Sequence, residues 1–169
     1  MLRGAPDPRD EILSVLPAMR AFALSLARNA SVADDLVQDT IVKAWKSFDS
    51  YEAGTNLQAW LFTILRNTYY SDLRKSVRER SHAEAYIARA DTDGPGNDGH
   101  IAVLDFEKAF ASLPDEQREA LVLVGASGMS YQDAAITCGV AVGTIKSRIN
   151  RGRKRLADQL GRTGDGNPA

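Results

Sequence analysis

The sequence predicts an all-α chain of two small helical domains joined by a flexible linker. Three observations carry that expectation. Apolar residues recur at spacings of three and four through both halves of the 169 residues, the period of a helix with one buried face. No stretch of appreciable length alternates apolar and polar residues as a half-buried strand does. Between Arg89 and Asp98 the sequence R-A-D-T-D-G-P-G-N-D holds almost nothing that could pack, which marks a domain boundary. The resulting division is a helical domain over 10–82, a linker over 83–102 and a second domain over 103–158. On composition alone, the same stretch also suits a surface loop within one all-helical domain.

In the first domain, Ser14 followed by Pro17 reads as a helix entrance, because proline lacks the donor that an early helical residue leaves unpaired. Met19, Phe22, Ala23, Leu26 and Ala27 follow at helical spacing. Asn29 to Ser31 punctuates, and Ser31 with Asp34 has the spacing of a capping box. The second helix carries a broad apolar stripe of Leu36, Val37, Thr40, Ile41, Ala44, Trp45 and Phe48. Asp49 to Asn56, with Gly54 inside, has no period and reads as a loop. A third helix from Leu57 to about Arg78 buries Leu57, Trp60, Leu61, Ile64 and Leu65, then turns basic at Arg66, Arg74, Lys75 and Arg78.

In the second domain, Val103, Phe106, Phe110 and Leu113 predict a short helix. Ser112 with Asp115 then caps a helix entered through Pro114. Leu121 to Val124 is its buried segment, ended by Gly125 to Gly128. Ser130 and Asp133 form a further capping box, Ala134, Ala135 and Ile136 suit a close helix crossing, and Gly139 supplies a turn with positive φ. Projected at 100° per residue, Val142, Ile145, Ile149, Gly152 and Leu156 share one side of the last helix. Thr144, Ser147, Asn150, Arg151 and Lys154 face outward together. Lys146 and Arg153 flank them on one edge, Arg148 and Arg155 on the other.

An apolar fraction of 44% with 25% charged residues excludes global disorder, and a net charge of −1 leaves function to the placement of charge. Acidic residues gather at Asp7, Asp10, Glu11, Asp34, Asp35 and Asp39, whereas Lys146, Arg148, Arg151, Arg153, Lys154 and Arg155 have no acidic residue among them. A single cysteine, Cys138, excludes an internal disulfide and fits a reducing compartment. With no bilayer-length apolar run and an acidic, proline-bearing N-terminus, a cytoplasmic protein without membrane insertion is expected.

A short helix with this outward face suits a DNA major groove, where arginine, lysine and asparagine pair with base edges and hydroxyls reach phosphates or bases. Solvation and the helix dipole alone account for Arg153, Lys154 and Arg155, but not for Lys146, Arg148 and Arg151 beside a glycine turn. The first domain adds Tyr51, Trp60, Tyr69 and Tyr70 near Arg66, Asn67, Arg74 and Lys75, a mixture able to stack and clamp unpaired bases. Trp60 itself lies on the apolar stripe and is assigned to the core. His82, His100 and Cys138 have no metal-ligand spacing. Asp34, Asp35 and Asp39 lack a nucleophile, metal pattern or phosphate loop, so they form a solvated face or a protein-binding patch. No enzyme activity, catalytic residue, cofactor or metal is expected.

Two stretches carry a family resemblance. D34-D-L-V-Q-D-T-I-V-K-A-W-K-S-F48 followed by N56-L-Q-A-W-L-F-T-I-L-R-N67 resembles region 2 of the extracytoplasmic-function (ECF) sigma factors of the sigma-70 superfamily. L113-P-D-E-Q-R-E-A-L121, followed by G128-M-S-Y-Q-D-A-A and V142-G-T-I-K-S-R-I-N-R-G-R-K-R-L156, is similar to their region 4. The likeness covers residues 10 to 158 and is strongest to the subgroup that drives the general stress response of alphaproteobacteria. It implies a factor that binds core RNA polymerase and directs initiation at chosen promoters, held inactive by an anti-sigma protein, here NepR-like.

The resemblance also implies residue roles. Asp34, Asp35, Gln38 and Asp39, with Lys43 and Trp45, would meet the β′ clamp helices, and region 4 would meet the β flap. Tyr51 and Asn56, in the loop from Ser47, would receive a base flipped from the −10 element, with Asn67, Arg74 and Arg78 holding the separated strand. Lys146, Ser147, Asn150 and Arg151 would read the −35 element, with Thr144 and Arg148 near phosphates. Ala141 and Asn150 depart from the family's frequent N-cap hydroxyl and larger apolar residue. Two other functions fit the same pattern: a sigma-like mimic that sequesters an anti-sigma factor, and a stand-alone helix-turn-helix regulator.

Overall fold

A computed structural model describes residues 7–80 and 100–164. The described residues are all-α, with no strand among them. They form two compact units, one containing α1 (Pro8–Ala27), α2 (Ala30–Lys46) and α3 (Leu57–Arg80), and one containing α4 (His100–Ala111), α5 (Asp115–Leu121), α6 (Tyr131–Cys138) up to Ala135, and α7 (Val142–Gly164).

Helix α1 starts earlier than the sequence suggested. Asp7 accepts from the Arg9 amide at 3.0 Å and Pro8 takes the first helical position, where its missing N–H costs nothing. Ser14 instead donates back to the Glu11 carbonyl at 2.6 Å. Pro17 lies inside the helix and is exposed, as is Leu13, whose carbonyl loses its usual helical donor to the proline ring. The chain leaves α1 through Arg28 at φ 54°, its N–H returning to Leu24 O. Asn29 then caps α2 by accepting from the Val32 amide at 3.0 Å. The expected Ser31–Asp34 box does not form, because the helix begins one residue before Ser31 and Asp34 pairs elsewhere.

The three helices bury one side each. Phe22 of α1 and Phe62 of α3 stack with centroids 5.0 Å apart, 12° from parallel, and both are fully buried with Met19, Leu61 and Leu65. Helix α2 contributes Ala33, Leu36, Val37, Thr40 and Ala44, and the Thr40 hydroxyl is satisfied by Leu36 O at 2.7 Å. Trp45 leaves the stripe on which its spacing placed it and is 56% exposed.

In the second unit α4 is helical from His100, three residues before the expected domain start; the expected linker up to residue 99, and His82, lie outside the described residues. Val103 and Phe106 are exposed and Ala109 and Leu113 buried, since the face of α4 that meets α7 is not the one bearing the largest apolar residues. Ser112 does not cap α5. It donates to Ala109 O at 2.7 Å and to Gln159 at 3.0 Å, while the Pro114 carbonyl starts the helix. Arg118 ties this corner together from a buried position, donating to Leu113 O at 2.9 Å and to Asp115 at 2.6 Å. A π-helical segment, Val122–Ala126, ends the run, with Gly128 at φ 67°.

The helix-turn-helix follows. Ser130 accepts from the Asp133 amide at 3.0 Å and donates to its carboxylate at 2.8 Å, so this predicted cap forms. Gly139 adopts φ 66° between α6 and α7, a conformation open to glycine without strain. Ala134 and Ala135 are buried, whereas Ile136 is exposed.

Candidate nucleic-acid interface

Ile145 and Ile149 are fully buried and Gly152 is buried with them, so one side of α7 is fixed against its unit. The opposite side carries exposed Asn150, Arg151 and Lys154, with Thr144 and Ser147 half-buried at its flanks. Three of the five residues expected to face outward are thus exposed and two are half-buried. The two edges of that face are tethered by contacts the sequence did not reveal. Lys146 Nζ lies 5.9 Å from the Tyr131 ring centroid, and Arg148 Nη2 lies 3.1 Å from Glu116 Oε2. The helix is started by the Ala141 carbonyl, which accepts from the Thr144 amide at 3.0 Å.

On α2, Asp35, Gln38 and Asp39 share one exposed face, with exposed Val42 one turn beyond them. Asp34 stands apart from this group, with its Oδ1 accepting from Arg20 Nε at 2.8 Å. That hydrogen bond and the charge of Asp34 raise the Arg20 pKa above its already high ordinary value. Lys43 turns toward α3, its Nζ 3.2 Å from Thr68 Oγ1. Trp45 stays on the surface, with the Arg9 guanidinium 5.3 Å from its ring centroid and 4.9 Å from that of Phe48.

The segment between α2 and α3 is more ordered than its lack of period implied. A 3-10 turn, Phe48–Ser50, opens it, and the Tyr51 hydroxyl donates to Thr55 O at 2.7 Å. Phe48, Tyr51 and Trp60 form a cluster with centroids 5.3 to 5.9 Å apart. Trp60 is half-buried rather than core. Asn56 caps α3 through the Ala59 amide at 3.2 Å. Beside the cluster lies a cleft of about 440 Å³, lined by Lys43, Ser47, Ser50, Trp60, Ile64, Asn67, Thr68 and Ser71.

From that cleft a polar stripe continues along α3. Asn67, Ser71, Arg74 and Arg78 are exposed and fall on one face with Trp60, because offsets of 7, 11, 14 and 18 residues nearly complete whole turns. At 1.5 Å per residue the stripe is about 27 Å long. Arg78 Nε also donates to Arg74 O at 3.4 Å. Tyr69 and Tyr70 are half-buried in edge contact, and Arg66 covers Tyr70 at 4.6 Å. Ser71 and Thr68 were not singled out from sequence, although their spacing from Asn67 and Trp60 placed them on or beside this stripe.

Among the described residues no group of three His, Cys, Asp or Glu side chains could hold a metal ion, and no helix is long and apolar enough to cross a membrane. Cys138 is buried and forms no disulfide.

The Sigma-70 region 2 family model matches residues 12–79, and the Sigma-70 region 4 model matches residues 104–156. The chain is 54% identical over 152 residues to the ECF RNA polymerase sigma factor EcfG of Rhodopseudomonas palustris, spanning 90% of this chain and 84% of that protein. This chain belongs to the ECF sigma factors of the sigma-70 family. It is an alternative sigma factor. Its structure is similar to the sigma factor RpoE of Bartonella quintana, solved in complex with the anti-sigma factor NepR, at 51% identity and a TM-score of 0.82 over 92% of this chain and 98% of that one. A fold likeness at 13% identity and a TM-score of 0.57 links it to the anti-anti-sigma factor PhyR of the same organism, complexed with NepR; that match covers 90% of this chain and 50% of PhyR. Regions 2 and 4 of this sigma factor therefore correspond to the α1–α3 unit and the α4–α7 unit.

Proposed function

We propose that this sigma factor binds core RNA polymerase and directs initiation at promoters of general stress response genes, under control of a NepR-like anti-sigma protein. The observation that carries the reading is that one chain presents an exposed acidic face on α2 and an exposed basic, asparagine-bearing face on α7. Asp35, Gln38 and Asp39, with the exposed ring of Trp45, form the surface for the β′ clamp helices; Asp34 and Lys43, engaged with Arg20 and Thr68, border it. Region 4 docks on the β flap and places α7 in the major groove of the −35 element.

There Asn150 and Arg151 read base edges, Lys146 and Ser147 assist, and Thr144 and Arg148 approach phosphates. The −10 strand runs along α3. A base flipped from it enters the cleft beside Tyr51 and Asn56, while Asn67, Arg74 and Arg78 hold the backbone, as stacking on aromatic rings and a cationic track do for single strands generally. Domain limits of 10–82 and 103–158 suit this division, with region 4 extended back to His100 by α4. The factor acts by binding in the cytoplasm and lends polymerase its sequence preference without a reaction of its own.

Run-off transcription from a promoter library with core enzyme and this chain tests the reading, with and without a NepR-type protein. Promoter-dependent transcripts that the anti-sigma protein suppresses are expected. A chain that binds the anti-sigma protein but supports no transcription is the sequestering mimic, which the fold likeness to PhyR keeps as the second reading. Tight duplex binding without any affinity for core enzyme would instead identify a stand-alone regulator.

A further inference from the structure

Arg148 is the recognition-helix cation that the fold holds back. It lies three residues before Arg151 and four after Thr144, on the edge of the outward face, yet its side chain keeps only 19% of its exposure and its Nη2 sits 3.1 Å from Glu116 Oε2 on α5. Glu116 is 59% exposed and lies in the first turn of α5. We propose that Glu116 is a positioning residue for DNA binding, whose carboxylate holds the Arg148 guanidinium against α5 and withholds one cation from the phosphate backbone in the DNA-free protein.

The physics favours a weak detent over a rigid strut. An ion pair with a largely exposed carboxylate is screened and contributes little to stability, so its effect is read in DNA binding rather than in folding. While the pair persists, Arg148 and Glu116 together present almost no net charge to DNA, and the carboxylate repels approaching phosphates. Sequence-independent binding depends on how many phosphates are neutralised. Withholding one cation therefore lowers affinity for arbitrary duplex, while Asn150 and Arg151, which discriminate bases, remain exposed. The consequence is weaker electrostatic binding to matched and random duplex alike, with base discrimination left to Asn150 and Arg151.

The inference rests on the assignment of α7 to duplex DNA, and its test separates the two. Binding of the full-length chain to a labelled random duplex and to a duplex with the matched −35 sequence is followed by fluorescence anisotropy from 50 to 200 mM KCl. Glu116→Gln is expected to bind the random duplex more tightly than wild type, with the slope of log affinity against log salt steeper by about 0.9, one further phosphate neutralised. That slope makes its advantage over wild type shrink roughly 3.5-fold across the salt range. The double variant Glu116→Gln/Arg148→Ala is expected to lose the gain.

Unchanged affinity and slope in Glu116→Gln overturn the proposal, as does a gain that survives in the double variant. Weaker binding accompanied by a lower melting temperature identifies a structural strut and overturns it equally. If Arg151→Ala weakens binding to the matched duplex while Glu116→Gln is silent, only this inference falls. If neither wild type nor any variant binds duplex at 50 mM KCl, the assignment of α7 falls with it.

Discussion

Arg20 Nε donates to Asp34 Oδ1 at 2.8 Å, joining the middle of α1 to the first turns of α2. Both side chains are about half exposed, so the pair adds little to stability. Its effect is on the surface. One oxygen of Asp34 is committed within region 2, whereas Asp35 beside it and Asp39 farther along the same helix stay exposed.

Asp35→Lys is expected to weaken binding to core polymerase roughly tenfold, the effect of about 1.4 kcal/mol of lost attraction and new repulsion. Asp34→Asn should weaken it far less. Competition of labelled wild type from core enzyme measures both, and equal losses would show that the Arg20 pair does not set Asp34 apart.

Arg151→Ala should reduce initiation through the −35 sequence by about 1–3 kcal/mol, the worth of one good base contact. The measurement is transcription with purified core enzyme on matched and −35-substituted promoters. Loss on the matched promoter alone supports base reading by Arg151, and an equal loss on both would make it a phosphate contact.

Asn29, not Ser31, closes the N-terminus of α2, so Asn29→Ala should cost about 1 kcal/mol of stability. Ser31→Ala should fall within about 0.5 kcal/mol of wild type, as an exposed substitution away from a cap does. Chemical denaturation of the two variants decides between the caps.

Gly152 lets α7 approach α5 closely, because a Cβ there would lie 2.8 Å from Leu121 Cδ1 and 3.4 Å from its Cγ. Alanine gains about 1 kcal/mol of helix propensity, which offsets much of the cost of moving the end of one flexible leucine. Gly152→Ala should therefore melt near wild type. Gly152→Leu has no such offset and should lose at least about 1–3 kcal/mol to overpacking; a melting temperature equal to wild type would mean that the helices separate without penalty.

The fold was legible where a signal is local. Apolar spacing identified the buried side of α7 down to Ile145, Ile149 and Gly152, and Ser130 and Gly139 announced the ends of α6. Caps failed where two candidates stood close together. Asp7 with Pro8 outcompeted Ser14 with Pro17, and Asn29 outcompeted Ser31, since a serine inside a helix can bond back to a preceding carbonyl, as Ser14 does to Glu11. On α4 the helix was legible but its exposed side was not. Val103 and Phe106 have helical spacing, but among the described residues no element covers that side.

The chain's own pattern was sufficient for the all-helical class, the two-part organisation and the buried side of α7, because hydrophobic period and turn residues act within a few positions. Which charges on those faces are engaged was settled by tertiary packing. Asp34 meets Arg20, Lys43 meets Thr68, and Arg148 meets Glu116 across 14, 25 and 32 residues of sequence. Long flexible side chains find partners on neighbouring helices, and only the crossing of those helices brings the partners within hydrogen-bond reach.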